Sequence, residues 1–74
     1  MAKKSEEDGI YKIVEIVGTS KLSWEDAAKK AVETASKTLR DLRVAEIIKL
    51  DMKVVDGKVV AYRARVSLSF KYKS

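Results

Sequence analysis

The hydrophobic and polar positions of this 74-residue chain change pattern from one segment to the next. From Ile10 to Val17 the residues are dense in β-branched side chains, with Lys12 and Glu15 the only charges, so a first strand is predicted there, ended by Gly18. Beyond it Trp24, Ala27, Ala28, Ala31, Val32, Ala35, Leu39 and Leu42 recur at helical spacing, while Lys29, Lys30, Glu33, Lys37 and Arg40 take the opposite positions. That spacing predicts one amphipathic helix of about 18 residues. Ser23 is its candidate N-cap, Glu25 and Asp26 suit the positive end of the helix dipole, and Leu22 with Ala27 can form a hydrophobic staple. Acids stand four residues before bases at Glu25/Lys29, Asp26/Lys30 and Glu33/Lys37, each pair worth a few tenths of a kcal/mol. The many alanines of the apolar stripe let a sheet wrap closely around the helix.

Two long strands are predicted next, Val44 to Val55 and Lys58 to Tyr72. Between them Asp56-Gly57 is a dipeptide that tolerates the positive φ angles of a tight hairpin. On the last strand Val60, Tyr62, Ala64, Val66, Leu68 and Phe70 share one face, and the alternate positions grow more polar towards Lys71. The second strand changes phase, Ala45 and Ile47 suggesting one face and Ile48, Leu50, Met52 and Val54 the other, so a bulge is expected near Ile47-Ile48. A helix between the first two strands makes them run the same way, and the third fits between them. The expected fold class is therefore α+β, a β-α-β-β chain whose three-stranded antiparallel sheet has the order first, third, second and wraps around one helix. Residues 1–9, polar and without periodicity, are expected to form a charged disordered tail before a single domain over 10–74.

Size turns this pattern into an expectation of assembly. A domain of 74 residues is marginal alone, and with neither Cys nor His it has no disulfide and no soft-metal site to strengthen it. The predicted helix is about 27 Å long, whereas strands of this length reach about 40 to 50 Å. Leu50, Met52, Val54, Val59 and Val60 then overhang as an apolar patch with open strand edges, which calls for further copies of the chain. The absence of Pro, Asn and Gln and the 36% share of charged residues resemble thermophile composition.

Charge and chemistry narrow the function. The net charge of +5 arises from residues that alternate in sign along the chain, which fits a solvated surface better than a nucleic-acid footprint. No segment has the length or the apolar run of a membrane span, and the acidic stretch Glu6, Glu7, Asp8 stands where a secretory signal would be apolar, so a cytoplasmic location is expected. Without His or Cys the common general bases and thiol nucleophiles are missing, and the glycines at positions 9, 18 and 57 form no phosphate loop; the chain is read as not an enzyme. Arg63 and Arg65 share a strand face, where they can bridge to carboxylates of neighbouring subunits, such as Glu15 or Glu46, or clamp an anionic ligand. Trp24 is expected to pack at the start of the helix.

The run Tyr11-Lys12-Ile13-Val14-Glu15-Ile16-Val17-Gly18-Thr19-Ser20, the capped helix, and the hairpin ending Tyr62-Arg63-Ala64-Arg65-Val66-Ser67-Leu68-Ser69-Phe70 together resemble the dodecin family over everything after the tail. The resemblance implies a hollow sphere of twelve identical subunits that binds a small ligand without chemistry. Flavin-binding dodecins use a stacking tryptophan and a glutamine at positions that fall here on Val44 and Arg63, so the usual flavin binding is expected to be lost. The run from Leu42 to Ile48, with Asp51-Met52 downstream, is closer to the calcium dodecin branch and implies calcium or another cation as a candidate ligand, with its ligating residues unassigned. Val44, Glu46, Arg63 and Arg65 are the ligand-facing candidates. The rival reading is a structural assembly that binds an anionic partner through Arg63, Arg65 and Lys71.

Overall fold

The computed structural model describes residues 9–72, so most of the expected tail lies outside the described residues. Its elements are β1 (Tyr11–Ser20), α1 (Trp24–Ala35), β2 (Leu42–Val55) and β3 (Lys58–Lys71). β3 lies between β1 and β2 and is antiparallel to both, which is the expected order.

Each junction has a local cause. Ser23 is the N-cap of α1, its hydroxyl accepting from the Asp26 amide at 3.0 Å. Leu22, 76% exposed, is not held in the expected staple. A second tie is made by Ser20, buried at the end of β1, whose hydroxyl donates to Asp26 Oδ2 at 2.6 Å and accepts from the Leu22 amide at 2.9 Å. Asp26 also pairs with Lys30 at 3.2 Å. The β2–β3 turn places Asp56 and Gly57 at φ of 52° and 74°, the conformation that the dipeptide tolerates.

The helix is shorter than expected, 12 residues ending at Ala35. Ser36 and Thr38 turn their hydroxyls back onto the Glu33 and Ala35 carbonyls, competing with the helix ladder. The backbone then tightens, Lys37 and Thr38 bonding three residues back, and Asp41 at φ 58° redirects it into β2. Leu39 and Leu42 still pack against the core. Their helical spacing reports which way they face, not how the backbone runs.

β1 continues through Gly18 to Ser20. Gly18 lies beneath the helix, where an added Cβ would meet the Ala27 carbonyl and come within 2.9 Å of the Ala31 Cβ. The missing side chain on one element and the alanines on the other thus set how closely helix and sheet approach.

The expected bulge is present at Ile48, with further irregularities at Arg43 and Val60. The Val60 bulge shifts the hairpin register by one residue and the Ile48 bulge shifts it back. Opposite the inward-facing Tyr62, Ala64, Val66 and Leu68 stand Met52, Leu50, Ile47 and Ala45, so the phase change of the sequence is absorbed and the apolar residues stay on the helix side.

The core is thin. Ala27, Ala31, Ala64, Val66 and Leu68 are buried, with Ile16, Ala28, Val32, Ala35, Leu39 and Leu42 packed around them. Among the described residues only Val66 and Leu68 are large and fully enclosed, each worth about 1.5 to 3 kcal/mol. The chain measures 56 × 19 × 17 Å with a radius of gyration of 15.2 Å, against about 11 Å for a compact domain of this length. A helix of about 18 Å cannot cover strands of about 46 Å. Leu50, Met52, Val54, Val59 and Val60 are left 39 to 56% exposed.

Candidate functional site

Register places every charged candidate on the sheet face turned away from α1. Along that face β3 carries Ser69, Ser67, Arg65 and Arg63 in successive rows. Ile13 and Val44 flank Ser69, Glu15 and Glu46 flank Ser67, Val17 and Lys49 flank Arg65, and Thr19 and Asp51 flank Arg63. Five predicted residues, Glu15, Val44, Glu46, Arg63 and Arg65, therefore share one surface. They do not form one pocket in a single chain. Val44 and Arg63 stand six residues apart along the β3 register, roughly 20 Å.

Arg63 has a partner that the sequence reading did not assign. Its Nε donates to Asp51 Oδ1 at 2.7 Å and its Nη2 to Asp51 Oδ2 at 3.0 Å, a bidentate pair within the chain. Hydrogen bonding from Arg63 holds the Asp51 carboxyl below the usual carboxylate range, and Asp51 in turn raises the guanidinium further above its ordinary value. An unbulged hairpin continuing the register of Val55 and Lys58 would set Asp51 opposite Tyr62. The bulge at Val60 moves it opposite Arg63, and the only advance signal was the extra apolar residue in Val59-Val60.

Asp51 also joins this pair to the helix. Its carbonyl accepts from the Trp24 indole N–H at 2.9 Å, and the Trp24 ring meets Tyr62 edge-on at 5.1 Å between centroids. Trp24 is thus half-buried and packed, as expected. Beside it Glu25, Ala28, Ile47 and Leu50 complete a shallow hollow of about 300 Å³. At the helix start, the hydroxyl of Ser20 and then Lys30 lower the pKa of Asp26.

Two larger concavities lie elsewhere. An apolar groove of about 570 Å³ runs between α1 and β1, lined by Val14, Ile16, Ala31, Ala35 and Leu39 among others. At the end of the sheet near Phe70, a cleft of about 590 Å³ gathers Lys12, Arg40, Asp41, Lys71 and Tyr72, with the Lys12 ammonium 5.3 Å from the Tyr72 ring centre.

A family model described as Dodecin matches residues 10–73. The chain belongs to the dodecin family. Among relatives of this dodecin is the calcium dodecin of Mycobacterium tuberculosis, 44% identical over 62 residues that make up 84% of this chain and 87% of that one. The solved structure of that protein, described as calcium chelating with a calcium-binding site, superposes with a TM-score of 0.77 at 45% identity, covering 86% of this chain and 91% of the other. The dodecin of Streptomyces coelicolor gives a TM-score of 0.83 at 31% identity over 90% and 96% of the two chains. A variant of the Thermus thermophilus dodecin gives 0.81 at 32% identity over 89% and 98%. The resemblance read from the first strand and the hairpin is upheld, its calcium branch included.

Calcium takes six to eight oxygen ligands. Among the described residues no group of three or more Asp, Glu, His or Cys is close enough to hold a metal ion, so the described carboxylates do not by themselves assemble a calcium site. No described helix is long and apolar enough to cross a membrane.

Proposed function

We propose that this dodecin is a non-catalytic homododecameric shell protein that binds or sequesters a small ligand or cation and has lost the flavin stacking of its flavin-binding relatives. The observation that carries the reading is the apolar β2–β3 hairpin that the helix leaves uncovered, a surface that further copies of the chain would bury. Sedimentation of the purified protein at micromolar concentration tests it, with a single large species expected and a stable monomer overturning it.

The ligand follows from the surface. Val44 presents no ring for an aromatic ligand to stack on, and Arg63 puts a cation, held by Asp51, where a neutral amide would be needed. Since the described carboxylates of one chain do not assemble a calcium site, a cation enters this reading where carboxylates of several copies meet. Equilibrium dialysis of the intact assembly against calcium checks this, and retention by dissociated subunits contradicts it.

The cleft of Lys12, Arg40 and Lys71 supports a second reading, an assembly that holds an anionic partner. Binding to DNA or an acidic protein that weakens steeply with salt would favour it. The neutralised Arg63 counts against the part of that reading which relied on it.

A further inference from the structure

The cleft at the end of the sheet lies beside the point where the acidic run of the sequence enters the fold. The cleft gathers three cations, Lys12 on β1, Lys71 on β3 and Arg40 in the connection from α1 to β2, against one acid, Asp41. Arg43, in the irregular stretch of β2 between the partners of Phe70 and Ser69, adds a further cation at this end of the sheet. Lys12, Arg40 and Arg43 are exposed and Lys71 is half-buried. The Tyr72 amide donates to the Ile10 carbonyl at 2.8 Å, which fixes the chain before β1 beside the end of β3. A Cβ built on Gly9 would come within 2.5 Å of Lys71 Cε and 2.7 Å of its Nζ, so the lysine side chain lies against the backbone at Gly9. The residues immediately before Gly9 are Glu6, Glu7 and Asp8, three acids in succession.

We propose that Glu6, Glu7 and Asp8 dock on this cleft of their own chain, pairing with Lys12, Arg40 and Lys71 and covering the surface against other anions. Charge selects the occupant: three carboxylates meet a cleft whose three cations less one acid leave two positive charges. Lys73, next to Tyr72 in the sequence, has the sign of the cleft. Lys3 and Lys4 stand beyond Ser5 and are repelled by the same cations, so the acids and not the start of the chain form the docking part. Length permits the contact. Three residues span at most about 10 Å, comparable with the distance of about 8 Å over which exposed charges act on each other in physiological salt. A tether this short holds the acids near the cleft at an effective concentration that a free anion matches only in the millimolar range. Exposed ion pairs are individually weak, so the tether makes this contact the resident one. Tyr72, whose ring centre is 5.3 Å from the Lys12 ammonium, keeps that cation at the cleft. The inference does not depend on the shell reading, since every group belongs to one chain. It alters the second reading, because a foreign anion must first displace the segment.

Trace trypsin reads the contact in the full chain at the Lys4-Ser5 bond, which docking of the next residues withholds from the protease. The wild type is compared with Lys12→Gln, Arg40→Gln, which keeps the sequence around that bond and so its intrinsic susceptibility. In low salt the variant should be cut there at least about threefold faster, as followed by mass spectrometry. In about 1 M salt, where the Debye length falls to about 3 Å, the two rates should converge. Equal rates in low salt overturn the proposal, and so does a difference that salt leaves in place. Should circular dichroism show the double variant unfolded, Arg40→Gln alone, outside the strands, takes its place under the same criteria. A second measurement changes the acids. A fluorescently labelled heparin fragment in low salt should bind Glu6→Gln, Glu7→Gln, Asp8→Asn at least about threefold more tightly than the wild type, and that gain should vanish when Lys12 and Arg40 are also Gln. No gain means that the cleft stands open to foreign anions and overturns the proposal. An equal gain in both backgrounds reports net charge alone and overturns it as well.

Discussion

Replacing Gly18 with Ala tests how the helix is seated on the sheet. The backbone φ of Gly18 is not positive, so an alanine is permitted there conformationally. Taken alone, the exchange would stabilise a strand by about 0.5 to 1 kcal/mol. Against this, the new methyl meets the Ala27 carbonyl oxygen, which is backbone and cannot rotate aside, and approaches the Ala31 Cβ to 2.9 Å. The helix must lift away, loosening the contacts of Ala27 and Ala31 with the sheet. Overpacking of this kind costs about 1 to 3 kcal/mol, and with a rigid obstacle the upper end applies, leaving a net loss of about 2 kcal/mol. For a domain of this size that lowers Tm by roughly 10 °C. Differential scanning calorimetry of wild type and Gly18→Ala at one protomer concentration measures it, the fixed concentration being needed because association contributes to stability. An unchanged or raised Tm would show that the close approach of α1 to β1 is not a constraint.

Leu68→Ala removes the larger of the two fully enclosed side chains and should cost about 2 to 5 kcal/mol in urea unfolding; a loss under about 1 kcal/mol would mean that the core lies elsewhere. The folded pKa of Asp51 is depressed, so its pairing with Arg63 contributes fully above the ordinary value of 3.8 and is lost as pH falls through the lower folded value. Acid titration followed by Trp24 fluorescence should therefore show a component below pH 3.8 that Asp51→Asn lacks, and identical acid limbs contradict the pairing. Wild-type protein should leave flavin emission unaltered, whereas Val44→Trp with Arg63→Gln should quench it; strong quenching by the wild type would refute the reading of those two positions.

Legibility in the sequence followed the range of the interaction. The cap at Ser23, the Asp56-Gly57 turn and the inward face of β3 are written in adjacent residues or a strict period of two, and they could be read directly. Leu39 and Leu42 misled because a core-facing position keeps helical spacing after Ser36 and Thr38 have unwound the backbone. The bulge at Ile48 showed as a break in phase, but the one at Val60 fell within an unbroken apolar run. The partner of Arg63 depends on that bulge, and so Asp51 stayed hidden until the register was known. The cross-sheet rows, with Lys49 opposite Arg65 and Glu15 in line with Glu46, join residues from strands that only the fold brings together.

Native mass spectrometry of the intact purified protein asks most directly whether this hairpin finds its cover in copies of itself. The predicted result is one dominant species near twelve times the 8.3 kDa chain mass, together with any ligand it retains. A spectrum dominated by the single chain at micromolar concentration would contradict the account.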